Sequence, residues 1–405
     1  VVDEAHLRAR CRAFKEAFGE GAVLYAGKAL LLKAICRIVA EEGLGLDVVS
    51  GGELYTALAA GFPPERLYFH GNNKSEEELA EALAAGVGRI VVDNFHELAL
   101  LGQLAPRAKG ARVPVLLRLA PGIEAHTHDY IKTGQLDSKF GFSLAGGQAE
   151  EAVALAAASN AVELVGLHCH IGSQIFKTAP YAEAAAVMMD FAARIWQQTG
   201  TVIRELDLGG GFGIYYAPGD EPLSPREYAA VMREVVAAKA EASGLVPPRL
   251  LVEPGRAIAG PAGTTLYTVG AIKEIPGVRK YVAVDGGMAD NIRPALYQAR
   301  YEALLANKAD RPAVEKVSIT GKCCESGDML IWDISLPKAE PGDILAVSCT
   351  GAYCYPMASN YNRLPRPAVV LVYEGEAALI GRRETYADLV RLEVVPPRLQ
   401  RRLAG

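Results

Sequence analysis

Residues 67–93 read LYFHGNNKSEEELAEALAAGVGRIVVD, and this stretch contains one complete strand–helix–strand unit. Leu67–His70 and Ile90–Asp93 are short apolar runs next to Gly, Asn or Asp, a pattern typical of strands. Between them, Ser75–Ala85 is amphipathic and opens with a Ser that is followed three residues later by Glu78, which is the pattern of a helix-capping box. The stretch therefore predicts two strands joined by a capped helix.

The same alternation runs through the N-terminal part of the chain. The predicted strands are Val23–Ala26, Leu46–Val49, Leu67–His70, Ile90–Asp93, Val115–Leu119, Leu164–His170, Glu205–Leu208 and Leu250–Glu253. The predicted helices are Ala29–Glu42, Gly52–Ala60, Ser75–Ala85, Asn94–Leu104, Gln148–Ala158, Tyr181–Gln198 and Pro225–Ser243. Eight strands and their helices over about 230 residues fit an α/β fold of the (β/α)8 TIM-barrel type, whose typical size is about 250 residues. A doubly wound sheet is the alternative, because alternation alone does not show that a sheet closes.

After about Pro261 the sequence changes to strands separated by Pro and Gly turns. These strands are Leu266–Ile275, Lys280–Val284, Val314–Thr320, Ile344–Ser348 and Val369–Tyr373. Only Pro294–Leu305 has a helical pattern there. We therefore predict two domains, a barrel over residues 1–260 and a second, mainly β domain over residues 261–405.

The composition excludes several classes of protein. Of the 405 residues, 50% are hydrophobic and 22% are charged, as in ordinary globular proteins. The net charge of −5 argues against nucleic-acid binding, which needs clustered positive charge. No apolar run is long enough to span a membrane, no signal peptide opens the chain, and the seven cysteines show no disulfide pattern. We therefore expect a cytoplasmic enzyme, and because residue 1 is Val rather than Met we expect the natural chain to begin upstream.

The polar residues of the barrel segment collect directly after the predicted strands, where barrel enzymes carry their chemistry. Gly209–Gly213 follows the seventh strand, and Gly255 and Arg256 follow the eighth. Backbone N–H groups of a glycine-rich turn can approach phosphate oxygens closely, and barrels often bind phosphate with these two loops. Together with Ser173 after the sixth strand, they predict a phosphate site. The alternative is a tight loop without a ligand.

Lys28 follows the first predicted strand, at the mouth of the barrel. Desolvation there would lower the pKa of its amine and make it a nucleophile that forms Schiff bases. A lysine and a phosphate site in one barrel mouth suggest pyridoxal 5′-phosphate (PLP), with Glu253 as the carboxylate that keeps the pyridine nitrogen protonated. The alternatives are a solvated surface lysine, and a helix cap or structural ion pair at Glu253.

Histidines raise a metal hypothesis as well. His168 and His170 are two residues apart and share one face of a strand, and His126 and His128 form a second pair. No third and fourth ligand follow at standard spacing. A histidine that lies flat on a cofactor ring needs no metal, so we expect no metal site.

Motifs along the whole chain resemble, in the same order, those of the diaminopimelate decarboxylases. They are Tyr25–Ala29, Asp47–Leu54, His70–Ser75, Glu124–His128, Ser138–Gly141, His170–Gln174, Gly209–Gly213, Glu253–Arg256, Asp290–Tyr297, Cys324–Asp328, Gly351–Tyr353 and Ser359–Asn362. This family belongs to the alanine-racemase-like PLP enzymes. The resemblance implies a barrel followed by a β domain, to which a strand upstream of Val1 is added, and a homodimer whose active sites lie at the interface.

The resemblance also implies a role for each site residue. Lys28 resembles the lysine that carries PLP as an aldimine, His170 the residue stacked on the ring, and Cys324 a proton donor from the partner subunit. The implied cofactor contacts are Lys28, Asp93, His170, Ser173, Gly211, Glu253, Gly255, Arg256 and Tyr353. The implied substrate contacts are Arg256, Arg293, Tyr297, Glu325 and Tyr353.

The implied reaction is the decarboxylation of meso-2,6-diaminopimelate to L-lysine and CO2, the last step of lysine biosynthesis. This substrate carries an amino-acid group at both ends, so the enzyme must recognise a zwitterion at the end that does not react. Arg293 suits the far carboxylate because arginine binds carboxylates through two parallel hydrogen bonds, and Glu325 suits the far ammonium. The alternatives are a decarboxylase of another basic amino acid or a carboxylated polyamine, and a non-catalytic PLP-binding homologue.

Overall fold

The computed structural model describes residues 1–105, 112–123 and 138–400. The elements up to the end of the barrel are β1 (Val2–Asp3), α1 (Glu4–Phe18), β2 (Leu24–Ala26), α2 (Lys33–Glu41), β3 (Gly45–Val48), α3 (Gly51–Ala59), β4 (Leu67–Phe69), α4 (Glu76–Ala85), β5 (Arg89–Val92), α5 (Phe95–Leu104), β6 (Val113–Ala120), β7 (Phe142–Ser143), α6 (Gln148–Ala158), β8 (Val162–His168), α7 (Ala179–Thr199), β9 (Glu205–Asp207), α8 (Pro225–Ser243), β10 (Arg249–Leu251) and α9 (Arg256–Ala259). Those that follow are β11 (Thr265–Ile275), β12 (Arg279–Val284), α10 (Arg293–Tyr297), β13 (Ala303–Leu305), β14 (Glu315–Thr320), β15 (Met329–Leu336), β16 (Ile344–Val347), β17 (Val369–Tyr373), β18 (Glu376–Gly381) and α11 (Tyr386–Val390). The motif Glu124–His128, with its two histidines, lies outside the described residues.

Eight parallel strands form the barrel, in the order β2, β3, β4, β5, β6, β8, β9, β10. The first and last strands meet, because Val23 and Val252 form a parallel bridge and the Leu24 N–H donates to the Val252 carbonyl oxygen at 2.9 Å. β7 is additional and pairs with the end of β6. The predicted (β/α)8 barrel is therefore confirmed. The doubly wound alternative is wrong, because an open sheet has no such closing pair.

The barrel strands lie within two residues of their predicted bounds at each end. Their side chains are buried on both faces, as the fully buried Leu46, Val48 and Leu117 show, because one face fills the barrel and the other packs under the helices. The capping box of α4 is also formed. The Ser75 hydroxyl accepts from the Glu78 N–H at 3.2 Å, and the Glu78 carboxylate accepts from the Ser75 N–H at 2.9 Å.

The helix predicted over Ala29–Glu42 begins later than expected, at Lys33. Tertiary contacts occupy the backbone carbonyl groups that would accept intrahelical hydrogen bonds if the helix began earlier. The Leu30 carbonyl accepts from the Tyr25 hydroxyl at 2.9 Å, and the carbonyl of the residue before it accepts from the Tyr353 N–H at 2.9 Å. The segment after the first barrel strand is therefore a short 3-10 turn followed by extended backbone.

Helix α1 is an element that the sequence patterns did not indicate. The ring of Phe14 packs against the ring of Phe212 in the loop after β9, with centroids 5.2 Å apart. The Nε of Arg10 donates to the Ala257 carbonyl at 2.9 Å. α1 thus supports the segments that follow β9 and β10. Neither α1 nor any other helix in the described part of the chain is long and apolar enough to cross a membrane.

The C-terminal region contains a six-stranded sheet, in the order β13, β16, β11, β12, β14, β15, and a three-stranded sheet, β1, β17, β18. All five strands predicted after Pro261 are present. The helix predicted over Pro294–Leu305 is wrong beyond Tyr297. Gln298, with a φ of 54°, takes a left-handed conformation that ends α10, and Ala303–Leu305 pairs with β16 as a strand.

The N-terminal strand lies outside the barrel to which the sequence analysis assigned it. Val2 and Asp3 pair in parallel with Leu371 and Val372 of β17. The chain therefore starts in a sheet of the C-terminal region and only then enters the barrel through α1. An N-terminal strand joins this sheet from within the described chain.

Candidate active site

The carboxyl ends of the barrel strands surround a small cavity. It is lined by Ala26, Lys28, His170, Ser173, Gly210, Gly211, Phe212, Glu253, Pro254, Gly255, Arg256, Ala257 and Tyr353. The lining includes every residue for which a cofactor contact is predicted except Asp93. Tyr353 comes from the C-terminal region, and its backbone N–H donates to the Ala29 carbonyl at 2.9 Å. Both parts of the chain therefore build this cavity.

Glycines in the loop after β9 let the backbone form the cavity wall. Gly211 has a φ of +98°, and a Cβ atom there would lie 2.4 Å from the Gly172 carbonyl oxygen. A Cβ atom at Gly210 would lie 2.2 Å from the Glu253 carbonyl oxygen. Only glycine fits at such distances, so the bare backbone faces the cavity, as a phosphate-binding loop requires.

Arg256 brings a positive charge to the same wall. Its guanidinium donates to the Ser173 hydroxyl at 3.1 Å and to the Tyr216 hydroxyl at 2.7 Å. The ion pairs between described residues do not include Arg256, and its buried Nε has no hydrogen-bond partner among them. A buried charge without a counter-ion favours an anionic ligand. Together with the glycines and Ser173, this guanidinium fits a phosphate group.

The pKa of the Lys28 amine is raised rather than lowered, contrary to the expectation from the sequence. Burial by itself would lower the pKa of its amine, as expected from the sequence. Burial is the largest single effect, but the charges of Asp47, Tyr353 and Glu253 together outweigh it, and the pKa is raised above its ordinary value. Without a ligand the Lys28 amine is therefore protonated at neutral pH.

His170 presents a neutral ring to the cavity. Its Nδ1 accepts a hydrogen bond from the Gly210 N–H at 3.2 Å, so the ring proton is on Nε2. Burial, together with the positive charges of Lys28 and Arg118, holds the pKa of His170 well below its ordinary value. An uncharged, fixed imidazole is suited to lie against a cofactor ring.

Glu253 forms the floor of the cavity, between two histidines. The Nε2 atom of His70 lies 2.7 Å from its Oε1, and the Nε2 atom of His168 lies 3.3 Å from its Oε2. Burial would raise the pKa of Glu253, but the two imidazoles hold it well below its usual range. The carboxylate is therefore ionised at neutral pH, as a partner of a protonated pyridine nitrogen must be.

The same histidines bear on the metal hypothesis. His168 faces Glu253 whereas His170 accepts from Gly210, so the two do not point to one centre. His70, His168 and Glu253 do lie together. However, two ligands of a tetrahedral zinc ion are about 3.3 Å apart, since each lies about 2.0 Å from the metal. The 2.7 Å between His70 and Glu253 is instead the distance of a direct contact between the two side chains.

A second arginine lies close to the cavity. Arg293 on α10 is 5% exposed, its Cζ lies 4.7 Å from the centroid of the Tyr216 ring, and its guanidinium donates to the Tyr301 hydroxyl. Within the described chain it has no carboxylate partner, and its Nε has no hydrogen bond. Tyr216 contacts both arginines, because its hydroxyl accepts from Arg256. Two unneutralised guanidinium groups, one buried and one half-buried, therefore share one aromatic ring.

The remaining predicted site residues do not line the cavity of the single chain. Cys324 and Glu325 are exposed in the loop between β14 and β15, where the Cys324 N–H donates to the Asn362 side chain at 2.6 Å. Tyr297 is half-buried at the end of α10. Asp93 lies at the end of β5, with its Oδ1 3.8 Å from the Nε of Arg118.

The sequence analysis gave no role to Asp47, His70 or Tyr216, although all three belong to the site. Asp47 is a fully buried charge inside the apolar strand β3, and its Oδ1 lies 3.8 Å from the Nε2 of His70. A charged residue within an apolar strand is the signal that could have identified it. His70 directly follows β4, so its position at a strand end carried a similar signal.

Comparison with known proteins agrees with this site. Residues 4–260 match the family model described as pyridoxal-dependent decarboxylase, pyridoxal binding domain. The closed barrel, the lysine at a strand end, the glycine-lined wall with its arginine and the buried carboxylate fit the same class. The chain belongs to the pyridoxal-dependent decarboxylases.

Relatives define the family more narrowly. The diaminopimelate decarboxylase of Bacillus subtilis is 56% identical over 97% of this chain and 90% of that protein. The Mycobacterium tuberculosis enzyme of the same name is 49% identical over 97% of this chain and 90% of its own length. The crystal structure of the diaminopimelate decarboxylase of M. jannaschii has a TM-score of 0.91 and 37% identity, covering 98% of this chain and 92% of that one. Within its class, the chain belongs to the diaminopimelate decarboxylase family.

Proposed function

We propose that this enzyme decarboxylates meso-2,6-diaminopimelate to L-lysine and CO2, with PLP bound at Lys28. The names of its relatives support this reaction. The diaminopimelate decarboxylases of M. jannaschii and Helicobacter pylori have both been crystallised with L-lysine, and the latter is 32% identical with a TM-score of 0.88 over 97% of this chain and 95% of that one. The expected product is therefore a ligand of similar proteins.

The observation that carries the substrate assignment is the pair of unneutralised arginines. Arg256 and Arg293 are held by Tyr216, and neither has a carboxylate partner in the described chain. One positive charge suffices for a cofactor phosphate. The second suits the carboxylate at the far end of diaminopimelate, which ornithine and arginine lack.

Each residue then has a distinct task. When bound, PLP supplies an electron sink for the bonding electrons that the departing CO2 leaves behind. Glu253 holds a proton on the pyridine nitrogen, and the wall of Gly211, Ser173 and Arg256 binds the phosphate. Cys324 returns a proton to the carbon that lost CO2. Tyr353 and the neutral ring of His170 exclude water from the cofactor.

We further propose a homodimer in which Cys324 and Glu325 reach the partner's cavity. Their exposure on the single chain supports this arrangement, since a proton donor must contact the reacting carbon. Tyr297 is proposed as a substrate contact and Asp93 as a cofactor contact through Arg118. The proposed domains are residues 1–260 and 261–405, with Val2–Asp3 added to the second because this strand pairs with β17. We also propose a cytoplasmic location, which the seven free cysteines support.

The deciding experiment is CO2 release by the purified enzyme with PLP. We expect release from meso-diaminopimelate, with stoichiometric lysine, and at least about a hundredfold lower kcat/KM for ornithine and arginine, because a buried arginine without its anion is left unpaired. Equal activity on ornithine would contradict the substrate assignment. An Arg293→Gln variant should lose most of its discrimination, while Arg194→Gln, on an exposed helix face, serves as a control.

A further inference from the structure

Ionisable side chains from four separate barrel strands lie around the carboxylate of Glu253. His70 follows β4, His168 ends β8, Asp47 lies in β3 and Asp207 ends β9. All four side chains are buried. Such a concentration of ionisable groups has a large desolvation penalty, so it needs a compensating arrangement.

The contacts arrange these groups as two supports. His70 lies between two carboxylates, with its Nε2 2.7 Å from Glu253 Oε1 and 3.8 Å from Asp47 Oδ1. His168 faces the other oxygen of Glu253 at 3.3 Å. The two imidazole rings meet edge to face, with centroids 4.8 Å apart. Each oxygen of Glu253 therefore has its own histidine, and the rings hold each other in place.

The charges within the cluster are consistent with this arrangement. Burial lowers the pKa of His168 to about 4, so this ring is neutral and supports Glu253 as a hydrogen-bond donor. Burial and the adjacent Glu253 raise the pKa of Asp207 well above its ordinary value. Its Oδ1 accepts from the Gly209 N–H at 2.8 Å, which ties the cluster to the glycine loop. Of the three carboxyl groups in the cluster, Glu253 is the one whose pKa is lowered.

We propose that His70 and His168 are positioning residues that fix Glu253 as an ionised carboxylate aimed at the cofactor. The inference rests on the proposed PLP chemistry but not on the identity of the substrate. His70 is the stronger support, because its Nε2 lies 2.7 Å from Glu253, closer than the 3.3 Å of His168. Neither histidine touches the substrate in this role.

The test compares two replacements of His70. The Nε2 of Gln can take the place of the imidazole Nε2, so H70Q should keep the support, whereas H70L removes it. We expect H70L to weaken PLP binding to the apoenzyme by roughly 10- to 100-fold, because the buried Glu253 carboxylate loses its nearest polar neighbour. The absorbance spectrum of its bound cofactor should move to that of E253Q. H70Q should stay within about threefold of the wild-type affinity.

A double-mutant cycle separates support of Glu253 from a general role in folding. If His70 acts through Glu253, H70L should change PLP affinity less than about twofold in an E253Q background. K308M breaks a buried 2.6 Å ion pair of the C-terminal region, Lys308–Asp343, and should lower thermal stability without changing the cofactor spectrum. Equal losses in H70L and H70Q, or full additivity with E253Q, would overturn the proposal. Should H70L not fold, H168L and H168Q are measured in the same two backgrounds, with the same expectations and smaller effects.

PLP affinity and the cofactor spectrum are measured without substrate. These two measurements can therefore contradict the role of His70 without contradicting the proposed reaction. With diaminopimelate, H70L should lose kcat by roughly tenfold or more while KM changes by less than about threefold, since the distal contacts are intact. A change in KM alone would contradict a role through Glu253. If the wild-type enzyme had no activity on diaminopimelate, that result would instead contradict the proposed function.

Discussion

The Lys28 amine shares the cavity wall with Glu253 and lies within the electrostatic influence of Asp47. These carboxylates and Tyr353 raise its pKa, although burial acts in the opposite direction. The free enzyme therefore carries a protonated lysine at neutral pH. Because only a neutral amine attacks an aldehyde, covalent capture of PLP should become faster as the pH rises.

Replacing Asp47 tests this electrostatic effect. Asp47→Asn removes the negative charge that raises the pKa of Lys28, so the pKa should fall and the pH profile of PLP capture should move to lower pH. The capture rate of the apoenzyme is measured by stopped-flow absorbance between pH 6 and 10. Asp190→Asn, which removes an exposed carboxylate paired with Lys239, is the control. An unchanged profile in Asp47→Asn would contradict the assigned cause.

Lys28 itself should be indispensable. Lys28→Ala should remove the visible absorbance of covalently bound cofactor and reduce kcat by at least about a thousandfold, because the nucleophile is absent. Absorbance and lysine formation are measured on the same sample. Full activity of the variant would refute the role of Lys28 in the mechanism.

At the scale of elements, the loops at the strand ends supply the residues of the site, whereas the strands supply the buried core of the barrel. The strands were predictable because their runs are apolar and bounded by turn residues, as in Val113–Ala120. Helix α2 was misplaced because the Leu30 carbonyl is bound by the Tyr25 hydroxyl, a contact set by tertiary packing. Helix α1 was missed although Phe14 is its core contact.

The glycine loop after β9 offers a matched pair of substitutions. Gly211 and Gly219 have similar positive φ angles, +98° and +104°, but only Gly211 has neighbours within 4 Å. Gly211→Ala should weaken PLP binding more than about tenfold, because its Cβ meets the Gly172 carbonyl. Gly219→Ala should lower the free energy of unfolding by roughly 1–2 kcal/mol and leave PLP affinity unchanged. Fluorescence titration of the apoenzymes and urea unfolding measure the two effects, and equal losses of affinity would contradict a binding role for the loop.

At the scale of the whole molecule, the cavity combines distant parts of one chain and, as proposed, a second chain. Tyr353 reaches the barrel from the C-terminal region, while Val2–Asp3 crosses in the opposite direction to pair with β17. Cys324 and Glu325 are exposed on the single chain. This exposure is the reason for proposing that Cys324 acts on the cavity of a partner subunit.

Complementation tests the shared site. Cys324→Ala should retain the cofactor absorbance and lose most of its turnover, and Lys28→Ala should lose both. Mixing equal amounts after reversible dissociation should restore about a quarter of the wild-type activity, because half of the dimers are mixed and each has one intact site. No recovery in a mixture shown to exchange subunits would contradict the shared site.

The sequence by itself determined the alternation of eight strands with helices, the strand positions to within two residues and most of the cavity lining, whereas closure of the barrel was decided by the structure. The parallel alternation forces all strand ends to one side, so Lys28, Ser173 and Arg256 had to meet wherever their strands ended. The tertiary structure alone decided the pairing of His70 and His168 with Glu253, the tyrosine shared by the two arginines and the raised pKa of Lys28. These depend on register and distance between side chains remote in the chain, and electrostatic effects in a buried site follow distance rather than sequence.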